Sequence, residues 1–288
     1  MSYGARLGAA LVVASLWSGC RSDHPAPRGA AASSGETSDA AQATVAVTAR
    51  DFAFDAPEKI SAGALTLQLA NHGKEVHQAQ LVKLDGGKTE QDLLAALKKH
   101  GPPPPWMKFV GGPNAAAPGQ RVDGTSVLEP GEYAYVCLIP SPDGVMHAAK
   151  GMVRKFEVTA AASGAVKSLP ETDLTIKLVD FDFLFSQPLV PGKQRIMIEN
   201  EGPQAHELVL VKLGPGKTIQ DFAKWAMSMA GPPPARPVGG VGVLETGMRG
   251  TFTVDLTAGD YGLICFVPDA KDGKMHLVHG MMKNIKVG

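Results

Sequence analysis

Eight side chains in this 288-residue sequence have the types and order that metal chemistry requires. His77, Cys137, His147 and Met152 come first, and His206, Cys265, His276 and Met281 repeat the series. Each series offers two imidazoles, one thiol and one thioether. Soft sulfur favours Cu(I), imidazole accepts either oxidation state, and a trigonal His-Cys-His set under a weak thioether suits one-electron cycling of copper. Taken alone, His77 is an ordinary strand histidine, Cys137 a small buried hydrophobe and Met152 core filling. Four ligand-type positions kept in order through both halves are harder to assign to packing. The chain has three cysteines, Cys20, Cys137 and Cys265. Beyond Cys20 each half therefore holds one thiol with no partner of its own, and metal ligation gives such a thiol a reason.

The elements that must position these groups are themselves duplicated. Asp51-Phe52-Ala53-Phe54 reappears as Asp180-Phe181-Asp182-Phe183, and Asn71-His72-Gly73 as Asn200-Glu201-Gly202. Leu81-Val82-Lys83-Leu84 matches Leu210-Val211-Lys212-Leu213, and Gly131-Glu132-Tyr133 matches Gly259-Asp260-Tyr261. Met146-His147 and Gly151-Met152 match Met275-His276 and Gly280-Met281. Most local patterns are those of strands: 44–48, 65–69, 174–178 and 195–198 alternate or run β-branched between turn residues. Tyr133, Tyr135 and Cys137 share one face of a period-2 strand, as do Tyr261, Leu263 and Cys265. One short helix interrupts each copy. Thr89 and Thr218, each with an aspartate three residues on (Asp92, Asp221), predict capped N-termini. Prolines at 102–105 and 232–234 prevent continuation. The expected organisation is an all-β pair: a domain at 44–159, a linker at 160–171 and a second domain at 172–288.

This order and spacing resemble the cupredoxin, or blue type 1 copper, family. The resemblance rests on the Asn-x-Gly-x-x-x-His segment, the Gly-x-Tyr turn ahead of the cysteine, and the four residues between the second histidine and the methionine. It covers both copies. It implies two tandem Greek-key β-sandwiches, each with one inserted short helix and one type 1 copper. It also implies His147 and His276 as the solvent-edge ligands, the points of electron entry. The tyrosine turns resemble the tyrosine corner of such sandwiches. There are departures. Nine residues separate Cys137 from His147 and ten separate Cys265 from His276, where small relatives have fewer. Gln78 and Glu207 follow the first histidines where many relatives carry Asn, and an anionic Glu207 would favour the oxidised metal.

The first functional expectation is an electron carrier; the alternative is a copper-free or copper-storing cupredoxin-like binding module. An enzyme is not expected. Copper enzymes of this kind need His-x-His pairs for a second centre and a histidine beside the type 1 cysteine. No His-x-His occurs, and Val136, Leu138, Ile264 and Phe266 flank the two cysteines. Lys plus Arg equals Asp plus Glu, at 28 each, so no strong field draws the chain to nucleic acid.

The N-terminus reads as an export signal over 1–19, with the apolar run Leu7 to Trp17 after Arg6. Ser18-Gly19-Cys20 resembles a bacterial lipobox, which implies lipidation of Cys20. The segment 20–43 is rich in Ala, Ser, Gly and Pro and suits a solvated tether. The expected setting is the bacterial cell envelope or periplasm, with a lipid anchor in the membrane and exported redox proteins as electron donor and acceptor. His24 falls in the tether and His100 at a helix end, while His72 and His279 lack counterparts in the other copy and are read as surface residues.

Overall fold

The computed structural model describes residues 42–99 and 103–288. The signal peptide, Cys20, His24, His100, Pro102 and nearly all of the tether lie outside the described residues. Among the described residues no helix is long and apolar enough to cross a membrane.

Alternating burial turns the sequence into two β-sandwiches. In the first half the strands are β1 (Ala43–Arg50), β2 (Ala53–Asp55), β3 (Lys59–Ser61), β4 (Gly63–Asn71) and β5 (Gln80–Leu84). After helix α1 (Glu90–Leu97) come β6 (Met107–Phe109), β7 (Arg121–Leu128), β8 (Gly131–Val136) and β9 (Val153–Thr159). One layer is ordered β2-β1-β4-β7 and the facing layer β3-β9-β8-β5-β6. Val47, Leu65, Leu67, Leu69, Leu81, Tyr133, Tyr135 and Cys137 meet between them in one buried cluster.

The second half repeats the plan. Its strands are β10 (Leu174–Val179), β11 (Asp182–Phe185), β12 (Gly192–Asn200) and β13 (His206–Leu213), followed by helix α2 (Ile219–Ser228). Then come β14 (Ala235–Leu244), β15 (Arg249–Leu256), β16 (Gly259–Ile264) and β17 (Met282–Val287). The layers are β11-β10-β12-β15 and β14-β13-β16-β17, closed over a core that holds Ile176, Ile196, Phe252, Tyr261, Leu263 and Cys265. No helix or strand lies between β9 and β10.

The local expectations correspond to observed bonds. Thr89 and Thr218 cap α1 and α2, each in a reciprocal capping box with Asp92 or Asp221. Tyr133 donates its hydroxyl to Glu129 O at 2.9 Å, and Tyr261 does the same to Thr257 O at 3.0 Å. Both are tyrosine corners.

The halves are not beads on a string. β7 and β15 join through Thr125 and Thr251, so one layer of each sandwich merges into a single eight-stranded sheet. The run 110–114 lies along β14, with Gly111 N–H donating to Val243 O and Gly242 N–H to Gly112 O, both at 2.9 Å. Gln80, wholly buried, closes this seam. Its Nε2 donates to Leu81 O, Gly111 O and Val243 O at 2.9 to 3.1 Å, and its Oε1 accepts from Val243 N–H at 2.6 Å. A buried amide is tolerated when its donors and acceptor are all engaged, as here.

Candidate metal centre

Asn71 shapes the loop that delivers the first histidine. Its Nδ2 donates to Glu75 O and Ala116 O at 2.7 and 2.8 Å, and its Oδ1 accepts from Gly73 N–H at 2.8 Å. Asn200 repeats this with Gln204 O, Leu244 O and Gly202 N–H at 2.8 to 3.0 Å. The glycine of the motif makes room: a Cβ on Gly73 would lie 2.5 Å from His77 Nε2, and one on Gly202 2.6 Å from His206 Nε2. The cysteine sits just past the end of β8 or β16, facing the core. The second histidine opens a short 3-10 turn, His147–Lys150 or His276–His279.

These elements bring His77, Cys137 and His147 together in one group, and His206, Cys265 and His276 in another, all fully buried. In the first, the two Nδ1 atoms are 3.1 Å apart and Cys137 Sγ is 4.0 and 3.3 Å from those of His77 and His147. A point equidistant from the three atoms lies about 2 Å from each, the length of a metal–imidazole bond. In the second group the Nδ1 atoms are 2.9 Å apart and Cys265 Sγ is 3.4 Å from that of His276. Met152 and Met281 are also fully buried. The main chain ties each to its neighbours: Cys137 N–H donates to Met152 O at 3.2 Å and Met152 N–H to His147 O at 2.9 Å. Cys265, Met281 and His276 are linked in the same way at 3.2 and 3.0 Å.

The outward ring nitrogens decide what the inward ones can do. His77 Nε2 lies 3.0 Å from Asp51 Oδ1, and His147 Nε2 lies 2.8 Å from Glu75 Oε2. An ionised carboxylate only accepts, so each Nε2 keeps its proton and each Nδ1 presents a lone pair. Burial holds His77 below the ordinary imidazole range, against the opposing pull of Asp51. Two lone pairs and a sulfur therefore face one another in a fully buried pocket. A cation between them resolves the conflict, and the donors fit copper: each half carries the donor set of a type 1 copper centre.

The second group is built less evenly. His206 Nε2 meets Asp180 Oδ1 at 2.7 Å, the counterpart of the Asp51 contact. Gln204 stands where Glu75 stands in the first half, and its amide turns to Asp180 and Asp269. His276 Nε2 is buried with no partner among the described residues. Burial, then the nearby His206, push the His276 imidazole down to about 4. Burial pushes the Cys137 thiol up to about 12 and raises Cys265 as well, where the Glu207 carboxylate adds to the effect. Both thiols are protonated without metal, so binding must displace the proton.

Two expectations need correction. His147 and His276 are not at the solvent edge; each is fully buried. The turn between the first two strands of each half lays an aromatic ring over the imidazole, Phe52 at 5.3 Å from His147 and Phe181 at 5.1 Å from His276. Nor is Glu207 simply an anion beside the metal. It is buried, and burial pushes its carboxyl up to about 7 in the metal-free chain. His72 and His279 are exposed, as expected. Asp51, Asp180 and Glu75 were not singled out from the sequence. The aspartates carried a signal, since Asp180 follows Asp51 at the same offset by which His206 follows His77; Glu75 carried none.

No family model matches the chain. No curated protein matches it either. Among solved structures, reduced auracyanin from Roseiflexus castenholzii is similar at 22% identity, over 42% of this chain and 99% of that one, with a TM-score of 0.30. Auracyanin A from Chloroflexus aurantiacus, titled a blue copper protein, aligns at 21% identity over 41% and 100%, with a TM-score of 0.31. A blue copper oxidase from Nitrosomonas europaea spans 86% of each chain at 15% identity, with a TM-score of 0.25. At such TM-scores the likenesses carry no argument, and the copper assignment stands on this chain's own donors.

Proposed function

We propose that this cupredoxin-like chain is an exported electron-transfer protein that holds one type 1 copper in each half. The observation that carries the reading is the pair of bare Nδ1 lone pairs converging with a thiol sulfur, their outward nitrogens committed to carboxylates in the first half. Copper bound there would cycle between Cu(I) and Cu(II), exchanging single electrons with a partner. The chain's own residues prepare the site. Asp51, Glu75 and Asp180 fix imidazole tautomer and orientation. Phe52 and Phe181 exclude water from the second histidine. The Gln78 and Glu207 N–H groups, 3.5 Å from Cys137 Sγ and Cys265 Sγ, stabilise the thiolates. Met152 and Met281, both fully buried, would offer a weak thioether donor to the metal in each half. A carrier is favoured over an enzyme because apolar residues flank both cysteines, so no histidine wires either centre to a second copper.

Adding Cu(II) to the metal-free protein should produce an intense absorption toward the red end of the visible spectrum and a reversible one-electron wave. Cys137→Ser or Cys265→Ser should remove about half of the colour, and the double variant all of it, with the fold intact. Colour retained in the double variant would overturn the assignment. Binding of Cu(I) without reversible cycling would favour storage. Lipidation at Cys20 is part of the same proposal. Cys20→Ala should move the protein from the membrane fraction to the soluble one, and unchanged membrane association would refute the anchor.

A further inference from the structure

The two donor sets are joined by a run of short bonds that crosses from one half to the other. His77 exchanges two main-chain hydrogen bonds with Ala116, His77 N–H to Ala116 O at 3.1 Å and Ala116 N–H to His77 O at 2.8 Å. Two residues before Ala116, Asn114 donates through Nδ2 to Glu207 Oε2 at 2.9 Å. Glu207 Oε1 accepts from the N–H of Phe266, the residue after Cys265, at 3.1 Å. Glu207 also follows His206 in the chain, and its own N–H lies 3.5 Å from Cys265 Sγ. One side chain from each half thus links a ligand of the first set to two ligands of the second.

Both side chains are buried, Asn114 fully and Glu207 with 6% exposure. An amide and a carboxyl withdrawn from water are costly, and an apolar pair of similar shape would commonly hold an interface as well. The apolar residues around them show that this alternative was available: Val76, Ala115, Val209 and Phe266 pack into one cluster at the same boundary. Bonded and hydrogen-bonded atoms couple redox centres better than van der Waals gaps do. Leu138, Ala205 and Val267 approach the boundary only through such gaps, packed against a common cluster.

We propose that Asn114 and Glu207 form an electron bridge between the two copper centres, so that the chain redistributes electrons internally. The proposal rests on the copper assignment above. One centre gives up one electron as the other takes it, and no proton moves. The centres differ enough for the electron to settle unevenly. His147 has a carboxylate on its outward nitrogen where His276 has no partner among the described residues, and Glu207 replaces Gln78 beside the thiol.

The test is pulse radiolysis of the fully oxidised, copper-loaded protein with fewer than one electron per molecule, followed by freeze-quench electron paramagnetic resonance. Cys137→Ser and Cys265→Ser supply the reference signal of each remaining centre. The expected result is a first-order redistribution whose rate does not depend on protein concentration. Asn114→Leu should slow it at least tenfold while both copper signals stay unchanged. Glu207→Gln should restore most of the rate relative to Glu207→Leu, because a flipped Asn114 offers Oδ1, which has no partner among the described residues, to the new amide. A rate unaffected by Asn114→Leu, or redistribution only by collision, would overturn the bridge while leaving two blue centres. Failure to take up copper would show in the absorption spectrum before any kinetics, and would sink the copper reading together with the bridge. The metal-free protein gives an independent readout. Thermal unfolding of Asn114→Leu, Glu207→Leu and the double variant should be non-additive if the pair interacts, and additive losses would count against it.

Discussion

At the scale of single residues, the decisive groups are the ones that touch the ring nitrogens pointing away from the metal. Without Asp51 the proton on His77 is free to occupy either nitrogen, and a proton on Nδ1 blocks ligation. Outer partners of this kind commonly contribute 10- to 100-fold in metal affinity. Asp51→Ala should therefore weaken copper binding by the first centre by about that factor and leave the second centre's colour in place. Competition with a chelator, read separately in Asp51→Ala and in Asp51→Ala with Cys265→Ser, measures it; equal affinity in wild type and variant would rule the role out. The ligands themselves were legible in the sequence because duplication displayed them twice, in the same order and at offsets of 128 or 129 residues. Glu75 was not, because Gln204 occupies its place in the other copy and the repeat marks only what it preserves.

At the scale of the element, the Asn-x-Gly-x-x-x-His segment works as one piece. The asparagine closes the loop by three hydrogen bonds, the glycine leaves space, and the aspartate from the turn after β1 or β10 fills that space to reach the histidine. The sequence displayed the segment and its spacing, but its purpose required the third dimension, since Asp180 and His206 meet only when β10 and β12 lie side by side. Gly202→Ala puts a methyl 2.6 Å from His206 Nε2, closer than any packed carbon. Gly202 does not have a positive φ, so the cost is steric and local. The expected outcome is loss of the second centre's absorption with the first centre retained and far-ultraviolet circular dichroism unchanged. Full colour in Gly202→Ala would show that the loop yields instead. The helices show the opposite case. Their caps, Thr89 with Asp92 and Thr218 with Asp221, are local in sequence and were readable without the fold.

At the scale of the whole molecule, the interface between halves was the least legible part, because nothing in one repeat states which surface the other covers. Gln80 in β5 corresponds to Val209 in β13, and only the seam with Val243 explains a buried amide there. Glu207 is the same kind of residue, and it gives the interface a dependence on pH. Burial raises its carboxyl from 4.5 to about 7, against the donors Phe266 N–H and Asn114. A group whose folded pKa lies above its unfolded value contributes its full stability below the unfolded pKa and loses it as pH rises through the folded one. The metal-free protein should therefore lose up to about 3 kcal/mol between roughly pH 4.5 and 7 on account of Glu207, at 1.36 kcal/mol per unit. His276, held down to about 4, acts with the opposite sign: its contribution is present above about 6.5 and is lost as pH falls toward 4. The two effects overlap, so the wild-type profile alone does not separate them. Glu207→Gln does, because the amide keeps the shape and does not titrate. Chemical denaturation of the metal-free variant and wild type across pH 4 to 8 should show Glu207→Gln gaining relative stability steadily as pH rises. A difference that stays flat over that interval would mean that Glu207 titrates as a solvated carboxylate, and that the seam around it is wet.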